Sequence, residues 1–493
     1  MRIRVTSSDL SAVRADVAVC FAHEGDRTPR GLTDAKLRNE LGRQMKALSF
    51  KGSVGDRLTW NSNGKFPARR FMVLGLGVDH GQPCQAIRSG AARAARHSAR
   101  VRAKKIAIAV PQMPEASAPD QARAATEGVL LGNYRFEKYL SDPDRKHVSL
   151  LGAELCGVAR PAAARTAVRH GEIGAEAVCF ARDLVNEGPS RMTPSVMARA
   201  AARRAKRDGI RCKVLGKTEL TRLGMTALLN VSRGSAEPPR VVHLVYKPKT
   251  KPRKKIVLVG KGVTFDSGGL NLKPASGMLT MKCDMAGAAA VLAAMSSLAQ
   301  TGCRAEVHAL LGLVENMTGG DAYKPGDILS TYAGKTVEVG NTDAEGRLVM
   351  CDLLAWAAQK LKPDAMVDVA TLTGAVVVAL GTEATGVFTR DETLREELLG
   401  GASAAGEKAW PLPMYDEYLA LLQKGPADLC NIGGRWGGAI TAALFLGEFV
   451  PRDLPWAHLD IAGPAFAESD SPEREAGGTG AGAGTLIRWL ESV

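Results

Sequence analysis

Apolar positions in the first third of the chain fall into short runs closed by polar turns, the pattern of buried strands. RIRVTSS from Arg2, ADVAVCFA from Ala15, FMVLGLGV from Phe71 and KKIAIAVP from Lys104 are runs of this kind. The stretches Gln85 to Arg102 and Asp120 to Leu131 read as helices. Strands alternating with helices predict an α/β domain with a mostly parallel sheet. A helix predicted from Glu172 to Asp183 leads out of it. The expected division is residues 1–170 for this domain, 171–185 for a linker helix and 186–493 for the rest.

The second domain opens near Asn186, where Thr193-Pro194 offers an N-cap followed by proline at the first helical position, and a helix runs to about Asp208. RVVHLVYK, KIVLVG, EVHALLGLVEN and MVDVATLTG predict strands, with KIVLVG ending at Gly260. Asp284–Ala299 and Gly346–Leu361 predict helices. This is a larger α/β domain with a central mixed sheet. The Gly/Ala-rich stretch from Glu468 to Gly484 predicts loop.

Composition narrows the class. With 493 residues, 45% hydrophobic and 24% charged, the chain can bury a large core without disulfide staples. No apolar run reaches the roughly 18 residues a membrane span needs. The N-terminus has no apolar signal segment, and the nine cysteines contain no CxxC pair, so the expectation is reduced thiols in a cytoplasmic protein. The net charge of +14 hides an asymmetry. Residues 1–255 carry 48 Lys and Arg against 22 Asp and Glu, whereas residues 256–493 carry 17 against 29. A basic half can attract nucleic acid. No nucleic-acid motif accompanies it, and the preferred reading is solvated surface.

Candidate chemistry sits where predicted strands end. VLVGKGVTFDSGGLNLKP carries Lys261, Asp266 and Lys273 among glycines, MKCDMAGAAAV carries Asp284, and VEVGNTDAEGRLVM carries Asp343, Glu345 and Arg347. Open α/β sheets bind ligands beyond the carboxyl ends of their strands. Four carboxylates meeting there repel one another unless cations sit among them, and oxygen-rich sites suit manganese, magnesium or, with mixed ligands, zinc. Singly, an Asp beside a glycine turn is usually a turn residue and a Lys a solvated charge. HExxH is absent, which argues against the common zinc-protease arrangement.

NTDAEGRL (Asn341–Leu348) resembles the signature of the leucyl aminopeptidase, or cytosol aminopeptidase, family. GKGVTFDSGG, LKP, MKCDMAGAAAV, ATLTGA (Ala370–Ala375), GGRWGGAITAALFL (Gly433–Leu446) and WAHLDIAGPAF (Trp456–Phe466) resemble further family blocks in order. The resemblance implies two divalent metal ions, manganese or zinc, with magnesium or cobalt as alternatives. It places Asp343 at the first metal, Asp284 and a neutral Lys261 at the second, and Asp266 and Glu345 as bridges. Lys273 would polarise the peptide carbonyl, and Arg347 would hold a bicarbonate acting as general base. A metal-bridged hydroxide would attack the N-terminal peptide bond of short peptides. Met281, Thr371, Gly374 and Ala462 would line a pocket for a Leu- or Met-sized side chain. The resemblance also implies a homohexamer, and it admits a secondary DNA-binding role that some bacterial relatives combine with peptidase activity. One block departs from the family: TGAGAGTL (Thr479–Leu486) stands where many members have an aromatic residue and an arginine.

Overall fold

The computed structural model describes residues 1–493. The chain divides into two compact units. Unit 1 is Met1–Glu176 with Ser469–Ala476, and unit 2 is Ala177–Glu468 with Gly477–Val493.

Unit 1 is built on strands β1 (Arg2–Val5), β2 (Val17–Ala22), β3 (Arg57–Asn61), β4 (Arg70–Gly75), β5 (Lys105–Ala109) and β6 (Gly152–Cys156). They form one sheet in the order β1-β6-β5-β2-β4-β3. Every pairing is parallel except β3 with β4. Period-two alternation sorts β2 between two cores. Val17, Val19 and Phe21 pack with Ile87 and Val129 of the helices Pro83–Arg100 and Ala118–Gly132. Ala18, Cys20 and Ala22 pack with Leu37 and Leu41 of the helix Ala35–Ala47. The preferred reading of the basic half as solvated surface needs correction here: Arg88, Arg93, Arg96 and Arg123 are buried. Glu127 pairs with Arg88 at 2.8 Å and with Arg123 at 2.9 Å, so part of this charge is spent joining helices.

Unit 2 holds β7 (Arg211–Leu215), β8 (Arg240–Tyr246), β9 (Lys255–Asp266), β10 (Glu306–Asn316), β11 (Ile328–Ser330), β12 (Thr336–Glu338), β13 (Ala365–Ala370), β14 (Ala384–Thr389), β15 (Lys408–Pro411), β16 (Leu429–Cys430) and β17 (Trp456–Asp460). Eight of these make a mixed sheet, β15-β14-β17-β13-β9-β10-β8-β7, and β11-β12-β16 make a small second sheet. The four central strands β10, β9, β13 and β17 are mutually parallel. β9 is buried along nearly all its length, as a strand covered on both faces must be. Val257 and Val259 join the core of the helix Gly346–Leu361. On the other face the helix Ala286–Thr301 approaches so closely that a Cβ on Gly260 would lie 2.6 Å from Ala288 Cα.

Several elements differ from expectation. β9 does not end at Gly260, because β10 keeps pairing with it as far as Asp266 opposite Asn316. Lys261 is therefore a mid-strand residue. The helix expected from Asp284 starts at Ala286, after a 3-10 turn over Met281–Cys283. The helix expected over Glu172–Asp183 is one element from Pro161 to Asn186. The stretch expected to be loop as far as Gly484 already contains the start of the helix Ala483–Ser492. Glu407 accepts bonds there from Gly482 N (3.0 Å), Gly484 N (3.2 Å) and the Thr485 hydroxyl (2.5 Å), so a carboxylate from elsewhere caps this helix. Within TGAGAGTL, Gly484 leaves room for this carboxylate, since a Cβ there would lie 2.9 Å from Glu407 Oε1. Ala275–Thr301 is the one helical stretch apolar enough for a membrane span by length and composition. Ala286–Leu298 within it is core helix, buried throughout.

Candidate active site

The carboxyl ends of β10, β9, β13 and β17 point the same way, and the polar residues collect there. Lys261 projects from β9 into a buried space. Its Nζ lies 2.8 Å from Asp284 Oδ1 and 2.8 Å from Glu345 Oε1, and donates to the Thr371 carbonyl at 2.7 Å. Gly346 gives it room, since a Cβ there would lie 2.7 Å from that Nζ. At the end of β9, Asp266 Oδ1 accepts from Gly268 N at 2.9 Å and from Asn316 Nδ2 at 2.8 Å. Its Oδ2 lies 2.9 Å from Lys273 Nζ, which also pairs with Asp343. The turn that returns Lys273 to the site uses left-handed backbone at Gly268 (φ +88°) and Gly269 (φ +64°), where glycine carries no steric cost.

The loop Asn341–Glu345 is stapled to its surroundings. Thr342 Oγ1 donates to Gly268 O at 2.7 Å, and the Tyr323 hydroxyl donates to Thr342 O at 2.7 Å. Asn431, just after β16, accepts from Gly340 N at 2.8 Å and donates to Asn341 O at 2.7 Å. Its carbonyl receives Arg347 Nη1 at 2.7 Å. Asn316, Tyr323 and Asn431 did not figure in the sequence reading. Asn316 could have been found, since it ends a strand as Asp266 does. Asn431 follows a two-residue strand with no periodicity to reveal it.

Thr371, just past β13, donates from Oγ1 to Asp284 Oδ1 at 2.6 Å. Asp460 ends β17, accepts from Leu372 N at 3.0 Å, Thr373 Oγ1 at 2.8 Å and Ala462 N at 3.1 Å, and lies fully buried. Met281 opens the 3-10 turn that leads to Asp284, and Gly374 begins the helix Gly374–Leu380. All the residues singled out from the sequence thus lie in unit 2.

The electrostatics are those of crowded carboxylates. One oxygen each from Asp266, Asp343 and Glu345 can be chosen within 4.8 Å of the others. Burial, and then repulsion from Glu345, raises Asp266 above the ordinary carboxylate range. Burial opposes the charge on Lys261, but Asp284, Glu345 and Asp266 outweigh it and hold the ammonium charged. Lys273 is raised likewise against its own burial, chiefly by Asp266. Burial lowers Arg347 to about 10, so it stays cationic at neutral pH.

Four carboxylates face two lysines, and Asp284 Oδ2 has no hydrogen-bond partner. Glu345 Oε1 is near Lys261 but outside hydrogen-bond geometry. A buried acceptor left unsatisfied is costly. The donor set, carboxylate oxygens with one amine, fits divalent cations.

Such a centre, at the strand ends of an open α/β sheet, has the form of a metallohydrolase site. Residues 179–487 match the model of the cytosol aminopeptidase family, catalytic domain, and residues 18–143 match that of its N-terminal domain. The chain is 40% identical over 494 aligned residues to the probable cytosol aminopeptidase of Aquifex aeolicus, covering 100% of this chain and 99% of that one. It is 40% identical to the probable cytosol aminopeptidase of Synechocystis, covering 99% of each. Among solved structures, the bottromycin maturation enzyme BotP in complex with Mn matches with TM-score 0.85 and 37% identity, covering 97% of this chain and 99% of that one. A mutant of tomato leucine aminopeptidase matches with TM-score 0.89 and 33% identity, covering 100% and 97%. The chain belongs to the cytosol aminopeptidase family and is a peptidase.

Proposed function

We propose that this peptidase removes the N-terminal residue of short peptides, favouring Leu- or Met-sized side chains, at a centre holding two divalent cations. The observation that carries the reading is the cluster of buried Asp266, Asp284 and Glu345 with half-buried Asp343, in which an acceptor of Asp284 is unpartnered. Asp343 would hold one cation, Asp284 and Lys261 the other, and Asp266 and Glu345 both; Lys261 would give up its proton as dications replace it as the counter-charge to these carboxylates. Manganese or zinc suits these donors, and magnesium or cobalt could replace them. The chemistry supplied by such a pair is a water nucleophile near neutral pH and a ligand position for a free α-amine.

The remaining work falls to the chain. Lys273 is half-held by Asp266 and Asp343 and can donate to the peptide carbonyl as charge develops on its oxygen. Arg347, whose Nε has no hydrogen-bond partner, would hold a bicarbonate serving as general base. Thr371, Gly374, Ala462 and Met281 would line the side-chain pocket; none is bulky except Met281, which adapts in shape. A homohexamer is part of the same reading, and light scattering should give six times the single-chain mass.

The deciding experiment compares leucyl-anilide with its N-acetyl form, using metal-free protein resupplied with manganese, zinc, cobalt or magnesium. The free amine should be hydrolysed and the blocked substrate left intact. Comparable cleavage of both would overturn the exopeptidase reading.

A further inference from the structure

We propose that Asp460, acting through Thr373, is a positioning residue that sets the substrate-side wall of the active site. This rests on the aminopeptidase reading and adds to it a residue that touches neither cations nor substrate.

The argument starts from where backbone pairing stops. β13 and β17 run in register as far as Ala370 opposite Asp460. Their last backbone bond is Ile461 N to Ala370 O, at 2.9 Å. Beyond it the two chains separate, and the Asp460 side chain carries the connection. Oδ1 takes Leu372 N on one side (3.0 Å) and Ala462 N on the other (3.1 Å). Oδ2 takes the Thr373 hydroxyl at 2.8 Å. That hydroxyl in turn accepts from Val376 N at 3.0 Å and caps the helix that begins at Gly374. One carboxylate therefore holds the residue after Thr371, the residue before Gly374 and the amide of Ala462, and so reaches three of the four proposed pocket residues.

The same tie reaches the cation ligands. Thr371 is held from its C-terminal side by the Asp460–Leu372 bond. It presents its hydroxyl to Asp284 at 2.6 Å and its carbonyl to Lys261 at 2.7 Å. Aspartate suits the position because all three groups aimed at it are donors. An asparagine keeps one acceptor for the two amides but turns a donor towards the Thr373 hydroxyl. An alanine releases all three bonds.

The test compares wild type with D460A, D460N, T373V and T373S. KM and kcat are measured on leucyl- and alanyl-anilide at saturating manganese, and amide exchange is followed over residues 371–376 and 461–463 in metal-free protein. D460A should raise KM for the leucyl substrate about 10-fold or more, the scale for losing an outer-shell partner. The effect on kcat should be smaller, and the leucyl preference should contract. Exchange over both segments should quicken while the rest of the sheet stays protected. D460N and T373V should move the same way by less, and T373S should restore what T373V loses. Wild-type substrate preference and wild-type exchange in D460A would overturn the proposal. Should D460A fail to fold, the threonine pair decides: T373V indistinguishable from T373S would overturn it equally. If wild type hydrolyses no aminoacyl-anilide, the aminopeptidase reading fails instead, and the exchange measurement still reads the positioning of the loop.

Discussion

In unit 1 the parallel strands run out into loops whose polar groups are used locally. His23, after β2, shares its Nδ1 with Gly77 O at 3.0 Å, and Gln112, after β5, donates to Gly157 O beyond β6. Its buried ionic network, Arg88–Glu127–Arg123, lies between helices. In unit 2 the central strands are equally parallel, yet their ends carry Asp266 and Asp460, the loop beyond β9 brings in Lys273, and the loop between β12 and the helix Gly346–Leu361 brings in Asp343. The buried charge between these helices is held in one local contact, a single carboxylate shared by two arginines. Charge gathered at strand ends comes from several loops at once and is left unbalanced. The architecture is shared, and the chemistry follows from where the buried charge is placed.

Breaking the strand-end cluster should have the largest effect. Asp343→Ala and Glu345→Ala should each reduce turnover to background while leaving the fold intact, as judged by circular dichroism alongside bound-metal analysis. Full turnover in either variant at saturating manganese would remove these residues from the centre. Lys273→Ala should retain the cations and lose kcat by about 10²–10³-fold, the scale of one oxyanion donor. A fall in metal content instead would make Lys273 a ligand or a structural residue.

Breaking the helix network should act on stability alone. Glu127→Ala strips a shared partner from two buried arginines and should cost about 3–5 kcal/mol of unfolding free energy. The specific activity of the folded fraction should not change, so a matching loss of kcat would dissolve the contrast between the units.

The most gradual effect, spread over several pH units, concerns Asp352, a buried carboxylate of unit 2 away from the cluster. It accepts from Tyr332 N at 2.8 Å and Leu228 N at 3.1 Å, and burial raises it to about 7. Unfolded, it would titrate near ~3.9. Between about 4 and 7 the folded state thus holds a proton that the unfolded state has lost, so stability falls as pH rises through that window. The slope is at most about 1.4 kcal/mol per pH unit. Asp352→Asn should flatten it, and parallel melting curves against pH for the two proteins would count against the assignment.

Much of this was legible in the sequence because strand-end loops carry their chemistry in short contiguous blocks. Asp266, Asp284, Asp343 and Glu345 stand out as acids among glycines and apolar residues. Lys261 was visible, but its setting was not: KGVTFD looks like the end of a strand, and only pairing with β10 shows that it continues. Asn316, Asn431 and Asp460 act through bonds to residues about 50 to 90 positions away, which no local pattern encodes. Nor does the +14 net charge disclose that Arg93 and Arg96 are buried. Amphipathic spacing assigns arginine to the water side by default, and packing between helices overrides it.

The position of β17 bears on how the enzyme comes into being on the ribosome. It is the last-made strand of the eight, yet it lies between β14 and β13 rather than at an edge. Until residue 460 has emerged, the nascent sheet has a gap at its centre, and Leu372 and Thr373 wait for the carboxylate that will hold them. The acids on β9 and in the Asn341 loop are synthesised more than a hundred residues before the strand that fills the place between β13 and β14. A sheet threaded in this order can close only late in translation, after the strands on both sides of the gap have been made.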